Sequence, residues 1–148
     1  LTSFNIAALN IEENGQRQPI NYVIPPGITR EIDPSQVYQR QMNEQSLVLE
    51  VCNLQDGDAR AAYRNVQFDV RTYKKMKMFV HAESVVQNQL KDNELSVFVR
   101  LGTDYVENYY EYELPMKVTD WGTTNPESIW PEANNIEIVF DDLNKTVC

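Results

Sequence analysis

The feature that most constrains the fold is a stretch of alternating residues between Tyr73 and Leu114. Successive side chains of a β-strand point to opposite faces, so this spacing predicts three strands of an antiparallel sheet with one buried face. Two polar connectors, Glu83–Glu94 and Gly102–Asn108, separate the strands and carry turn residues. The residues predicted to face the core are Met76, Met78, Val80, Ala82, Leu95, Val97, Val99, Leu101, Tyr110, Tyr112 and Leu114.

Further short segments predict strands on both sides of this region, at the spacing expected of an all-β sandwich. One stretch, Pro34–Met42, is consistent with a short helix, because Asp33 and Pro34 form a typical helix start, although the segment is polar and a loop is the alternative. We therefore expect one domain over residues 1–148, folded as an antiparallel two-sheet jelly-roll β-sandwich like a carbohydrate-binding module. The additional predicted strands are Phe4–Leu9, Asn21–Ile24, Leu47–Asn53 (with Leu47, Leu49 and Val51 on one face), Asn65–Val70 and a last strand in which Ile136 and Ile138 are buried.

The charge of the chain restricts its partners. With 148 residues and a net charge of -9, the chain lacks the concentrated basic surface that phosphate binding needs, and nucleic acid is therefore excluded. No run approaches the roughly 20 apolar residues of a membrane helix. The sequence begins at Leu1 rather than Met, so we expect a piece of a longer protein.

Two cysteines, Cys52 and Cys148, leave the redox state open. A disulfide between them would close a long loop and stabilise the domain by about 4 kcal/mol. Two separate thiols are the alternative.

Catalysis would have to use His81, the single histidine of the chain. Its position in the alternation puts it on the lysine-bearing strand face, where a solvent-exposed or sheet-stacked histidine is expected. Asp141 and Asp142 are adjacent and diverge on a strand, so they do not form a glycosidase pair. No phosphate-binding glycine loop is present. The sequence therefore predicts that the domain is not an enzyme.

Two further groups of residues are candidates for binding a metal ion, a sugar or a partner protein. Asn53, Asp56 and Asp58 surround Gly57 and, joined by Asp141, could bind a structural Ca²⁺ ion, although the same residues also form ordinary turns. Aromatic side chains near loops could stack on a sugar ring or a partner, although such rings also close the ends of a core. These candidates for ligand or partner binding are Trp121, Trp130, Tyr105 and Tyr109.

Several long motifs stand out in Ile11–Ile28 (IEENGQRQPINYVIPPGI), Asn43–Leu47, Cys52–Leu54, Gly57–Tyr63 and Tyr73–Ala82. Together with weaker similarity in Leu95–Leu114 and Trp130–Leu143, they resemble the SprA/Sov family, which forms the outer-membrane translocon of type IX secretion in Bacteroidetes and serves gliding motility. The resemblance implies a cell-surface or outer-membrane location, with this domain soluble and outside the lipid. It offers no catalytic residues and no cofactor.

Two functions are consistent with these observations. The first is a non-enzymatic structural and interaction domain of a giant translocon, contacting the rest of that protein, other secretion proteins or passenger proteins. The alternative is a carbohydrate-binding module, because two tryptophans flank one long loop of a predicted jelly roll.

Overall fold

The computed structural model describes residues 1–67 and 69–143. These residues are rich in strands and contain few, very short helices. Six strands pair into three two-stranded antiparallel sheets. The predicted antiparallel β-rich architecture is confirmed, but a jelly-roll sandwich is not, because the sheets of the described chain remain separate pairs.

The chain divides into two compact units, Leu1–Gln67 and Phe68–Cys148. We call them the N-terminal and C-terminal units and describe each by itself. That residues 1–148 form a single domain stays a prediction.

The N-terminal unit is built on one hairpin-like pair of strands, β1 (Ser3–Asn10) and β2 (Gln45–Cys52), which pair from Ser3↔Cys52 to Asn10↔Gln45. One helical turn, α1 (Ile11–Asn14), follows β1, and the Asn10 side chain caps it by accepting from the Glu13 N–H group. The buried residues of this unit are Ile20 and Tyr22, in the irregular segment between the strands.

The predicted helix over Pro34–Met42 is wrong. The Asp33 carboxylate accepts from the backbone N–H and the hydroxyl of Ser35, which closes a local turn rather than starting a helix. An isolated antiparallel bridge between Ile32 and Gln41 then brings the chain back on itself. The predicted extended segment Asn21–Ile24 is also not a strand.

The C-terminal unit contains two strand pairs. Strand β3 (Lys75–Met78) pairs with β6 (Ile136–Val139), and β4 (Ser96–Gly102) pairs with β5 (Tyr109–Pro115). The helical turns are α2 (Pro126–Ile129), α3 (Phe140–Leu143) and two 3₁₀ turns, Val70–Thr72 and Glu132–Asn134.

The core of this unit forms around β6 and the start of α3, where Ile136, Ile138 and Phe140 are buried. In β4 and β5 the alternation is confirmed for Val97, Val99, Leu101, Tyr112 and Leu114, which pack on this cluster. Met78 and Tyr110 were predicted to be buried and are instead exposed; Met78 is the last residue of its strand. The half-buried residues that pack on the cluster are Met76, Val80, Val97, Val99, Leu101, Tyr112, Leu114 and Leu143.

The predicted strand over Asn65–Val70 is not found in its described residues, and Phe68 lies outside them. The Asp69 side chain accepts from the Arg71 N–H group and starts the 3₁₀ turn there. In the described residues, no helix is both long and apolar enough to cross a membrane.

Candidate interaction surfaces

An apolar surface, the hairpin face, lies on one side of the β1–β2 sheet and consists of Phe4, Ile6, Ala8, Leu47, Leu49 and Val51. Across the strands, Ile6 is opposite Leu49 and Ala8 is opposite Leu47. Ile6 is 50% exposed, Leu47 66% and Leu49 45%. Leu47, Leu49 and Val51 share one strand face, as the alternation predicted, but this face is not packed into a core. The sheet presents an uncharged, apolar face to solvent.

The opposite face of the same sheet explains this exposure. The Tyr22 hydroxyl shares a hydrogen bond of 2.9 Å with the hydroxyl of Ser46, so the buried segment of the unit covers the side of β2 to which Ser46 points. Val48 lies on that side and is half-buried. A two-stranded sheet has only two faces, and here the irregular segment covers the part of the less apolar face around Ser46 and Val48, while Asn5, Ala7 and Glu50 of that face stay exposed.

The outer face of the β4–β5 sheet is organised by Arg100. Its guanidinium carbon lies 4.2 Å from the ring centroid of Tyr109 and 5.2 Å from that of Phe98. The same group is bonded to the Glu111 carboxylate and donates to the backbone carbonyl of Tyr105 over 2.7 Å. The bond to Glu111 raises the pKa of Arg100. Two predicted binding residues, Tyr105 and Tyr109, are thus brought together around a cation that sequence reasoning had not selected.

The turn between β4 and β5 is fixed by Asp104. Its carboxylate accepts from the backbone N–H groups of Glu107, Val106 and Asn108, and from the Asn108 side chain. These bonds, led by that from Glu107, hold the pKa of Asp104 well below its usual value. Val106, at the tip of the turn, is exposed.

The two tryptophans are held differently. Trp130 is only 8% exposed and meets His81 edge-to-face at 5.8 Å between ring centroids. Trp121 is half-buried, and its indole N–H donates to the Ser84 carbonyl over 2.9 Å. In this conformation Trp130 offers little ring surface to a ligand, and Trp121 has its polar edge engaged within the unit.

His81 is half-buried rather than on a solvent-exposed strand face. Its Nδ1 lies 2.7 Å from the Ile129 carbonyl oxygen, and its Nε2 lies 3.0 Å from the Glu83 carboxylate. The Thr119 hydroxyl is 3.4 Å from Nδ1. Because a carbonyl oxygen can only accept, Nδ1 carries its proton toward Ile129 and is not placed as a base toward Thr119. The imidazole connects the segment after β3 to the end of α2.

The candidate calcium ligands are divided between the units. Asn53 and Gly57 adopt positive φ angles, as turn residues do, and the Asp58 carboxylate lies 3.9 Å from the Arg60 guanidinium. Asp141 belongs to α3 of the C-terminal unit. Within the described residues, no group of three His, Cys, Asp or Glu side chains could hold a metal ion. A bound Ca²⁺ ion stays a prediction.

Cys52 is a free, half-buried thiol in the described chain. Cys148, its proposed disulfide partner, lies outside the described residues.

Comparison with known proteins gives one family. A family model named SprA_N, described as a motility related/secretion protein, matches residues 1–147. No curated protein matches the chain.

Proposed function

The chain belongs to the SprA_N family of motility related/secretion proteins, and from this we propose that it is a non-enzymatic structural and interaction domain of a large secretion assembly. The resemblance to the SprA/Sov family supports a finer assignment, to the outer-membrane translocon of type IX secretion and to gliding motility. The domain would then lie at the cell surface or outer membrane, outside the lipid. Its partners would be the rest of the translocon, other secretion proteins or passenger proteins.

The observation that carries this proposal is the hairpin face. Large exposed apolar patches on soluble domains mark interaction sites, whereas single exposed apolar residues are ordinary. Here Ile6, Leu47 and Leu49 adjoin one another across paired strands, and no charged side chain interrupts them. The face is therefore a surface suited to packing against another apolar surface.

The size of the face favours docking within one assembly over binding a free partner. Covering the exposed half of three aliphatic side chains is worth about 1 kcal/mol each, or roughly 3 kcal/mol in all. A micromolar complex of separate molecules needs about 8 kcal/mol. Such a face stabilises contacts between parts that are already held together, as in a translocon and its cap.

The absence of enzymatic activity remains part of the proposal. His81 supports it, because one ring nitrogen faces a backbone carbonyl and the other faces Glu83. In general acid–base catalysis, a histidine nitrogen must be within hydrogen-bond reach of the substrate proton that it transfers. The carbohydrate-binding alternative has less support, since Arg100 covers one ring face of Tyr109 and Trp130 is buried.

The test is a double variant of the hairpin face, Leu47→Thr with Leu49→Thr, placed in the full-length protein in its own cells. Both side chains are exposed, so the free energy of unfolding of the chain should change by no more than about 1 kcal/mol in total. Secretion and gliding should nevertheless fall several-fold at unchanged protein level. The control is Val106→Thr, an even more exposed apolar residue at the β4–β5 turn. Equal behaviour of the double variant and the control would refute the proposal.

A further inference from the structure

Among the residues that the structure describes, no strand pairs with the outer edge of β1. The Ile11 N–H group donates to the Glu44 carbonyl over 2.9 Å and continues the register of β1 with β2. In an antiparallel pair, hydrogen-bonded and non-hydrogen-bonded residue pairs alternate. The odd-numbered residues of β1 therefore bond to β2, and the backbone groups of Phe4, Ile6 and Ala8 point away from it. The Asn10 N–H group should also point away from β2, because Asn10 is even-numbered. It donates to the side-chain oxygen of Asn14 instead of to β2, in agreement with this pattern.

This edge also lacks the devices that normally protect a sheet edge. Proteins block exposed edges with lysine, other charges, proline or bulges. All eight residues of β1 are uncharged, none is proline, and its register with β2 is unbroken. Each of the other five described strands contains a charged residue: Glu50 in β2, Lys75 in β3, Arg100 in β4, Glu111 in β5 and Glu137 in β6.

We infer that the outer edge of β1 accepts an extended strand of a partner polypeptide, which adds a third strand to the β1–β2 sheet. The inference rests on the proposed function and names the chemistry of one occupant. The open N–H and C=O groups bind the backbone of the partner, and Phe4, Ile6 and Ala8 require apolar, uncharged residues at every second position of the added strand. A second copy of the chain is the less suitable occupant, because each copy carries a net charge of -9.

The added strand also accounts for the weakness of the sheet as it stands. A two-stranded sheet is marginally stable by itself, and three or more strands with an apolar face are needed for independent stability. A third strand beside β1 extends the hairpin face by one row of apolar side chains. It thereby enlarges the surface that docks in the assembly.

The test uses the 148-residue chain and a synthetic peptide. The peptide has the sequence of Gln45–Cys52 with Cys52→Ser, and it carries Leu47, Leu49 and Val51 at every second position. Backbone hydrogen exchange is measured with and without the peptide. In the free chain the amides of Ile6 and Ala8 should exchange fast, while those of Ala7 and Leu9 are protected by β2. Saturating peptide should slow exchange at Ile6 and Ala8 by at least about tenfold. A peptide of the same composition with the alternation scrambled is the control.

The matched variant is Ala8→Pro, which removes one outward N–H group and keeps the side chain apolar. Proline is tolerated on an edge where its missing N–H would face solvent. The variant should keep the protection of the Ala7 and Leu9 amides. It should bind the peptide at least tenfold more weakly, because one hydrogen bond to the peptide backbone is lost. If the variant does not fold, the exchange data on the unmodified chain still decide.

Three results would overturn the inference: no slowing of exchange at Ile6 and Ala8, equal slowing by the scrambled peptide, or sedimentation showing that the chain alone dimerises with those amides already protected. None of these results touches the proposed function, which fails if Leu47→Thr with Leu49→Thr behaves like its control. Conversely, peptide addition to β1 would stand even if that double variant had no effect in cells.

Discussion

Asn134 provides the sharpest test of how the C-terminal unit is held together. Its side chain is fully buried; the amide oxygen accepts from the Lys117 N–H group over 2.8 Å, and the amide nitrogen donates to the Lys117 carbonyl over 2.8 Å. The Asn134 side chain thus satisfies both backbone groups of Lys117, as a neighbouring strand would do in a sheet. Asn134→Ala leaves both backbone groups without a partner. Both bonds are part-buried, so at about 0.5–1.5 kcal/mol for each lost hydrogen bond the loss should be about 1–3 kcal/mol of the free energy of unfolding.

The neighbouring residue is the matched control. The side-chain oxygen of Asn135 is buried without a hydrogen-bond partner, so Asn135→Ala removes a polar atom that nothing satisfies. That change should cost less than about 1 kcal/mol or stabilise the unit. Urea titrations read by tryptophan fluorescence would measure both variants, with the slope against urea unchanged. Equal losses for the two variants would refute the assigned role of Asn134.

Three further predictions concern the same unit. Val99→Asp should cost more than about 3 kcal/mol, because it places an unpaired carboxylate against the core, whereas Lys77→Ala should stay within about 0.5 kcal/mol; denaturant titration compares them, and similar losses would show that the strand faces are misassigned. Gly102→Ala should disrupt the β4–β5 turn, since an added Cβ would collide with the Asn108 carbonyl oxygen and the Tyr109 backbone; unchanged thermal stability would contradict this close approach. Bonding lowers the pKa of Asp104 in the folded state, so its stabilising effect is present above the unfolded pKa of about 3.9 and is lost as pH falls through the folded pKa. The stability difference between the protein and Asp104→Ala should therefore shrink as the solution is acidified below about pH 4, and a difference independent of pH would contradict it.

Alternation predicted the strands well where both faces of a strand differ in chemistry. In β4, Val97 and Val99 face the core, whereas Arg100 lies on the outer face with Glu111. The sequence could not show that Arg100 also stacks on Tyr109, because that contact depends on the register of β4 with β5. Similarly, the sequence could not show that Lys75 and Lys77 lie 3.1 and 3.4 Å from Glu137, because that contact depends on the pairing of β3 with β6.

The exposure of Leu47 and Leu49 could not be predicted, because alternation gives a period but not a direction. The faces of β2 differ little, since Leu47 and Leu49 alternate with Ser46 and Val48. Which face is covered depends on where the distant Tyr22 docks, and the two-residue period of a strand cannot reveal that. The helix start at Asp33 failed for another reason: the same side chain can close a turn, and the residues after it lack an apolar stripe that packing could bury.

The central claim is that the hairpin face is covered by another part of the secretion assembly. Leu49→Cys tests it directly, in a chain whose Cys52 and Cys148 are replaced by serine and with Val106→Cys as the exposed control. A thiol-reactive probe would be applied to the isolated chain and to the full-length protein in intact cell envelopes. The account predicts that both cysteines react fast in the isolated chain and that only the cysteine at position 49 becomes protected in the envelope. Equal labelling of that cysteine in both states would contradict the account.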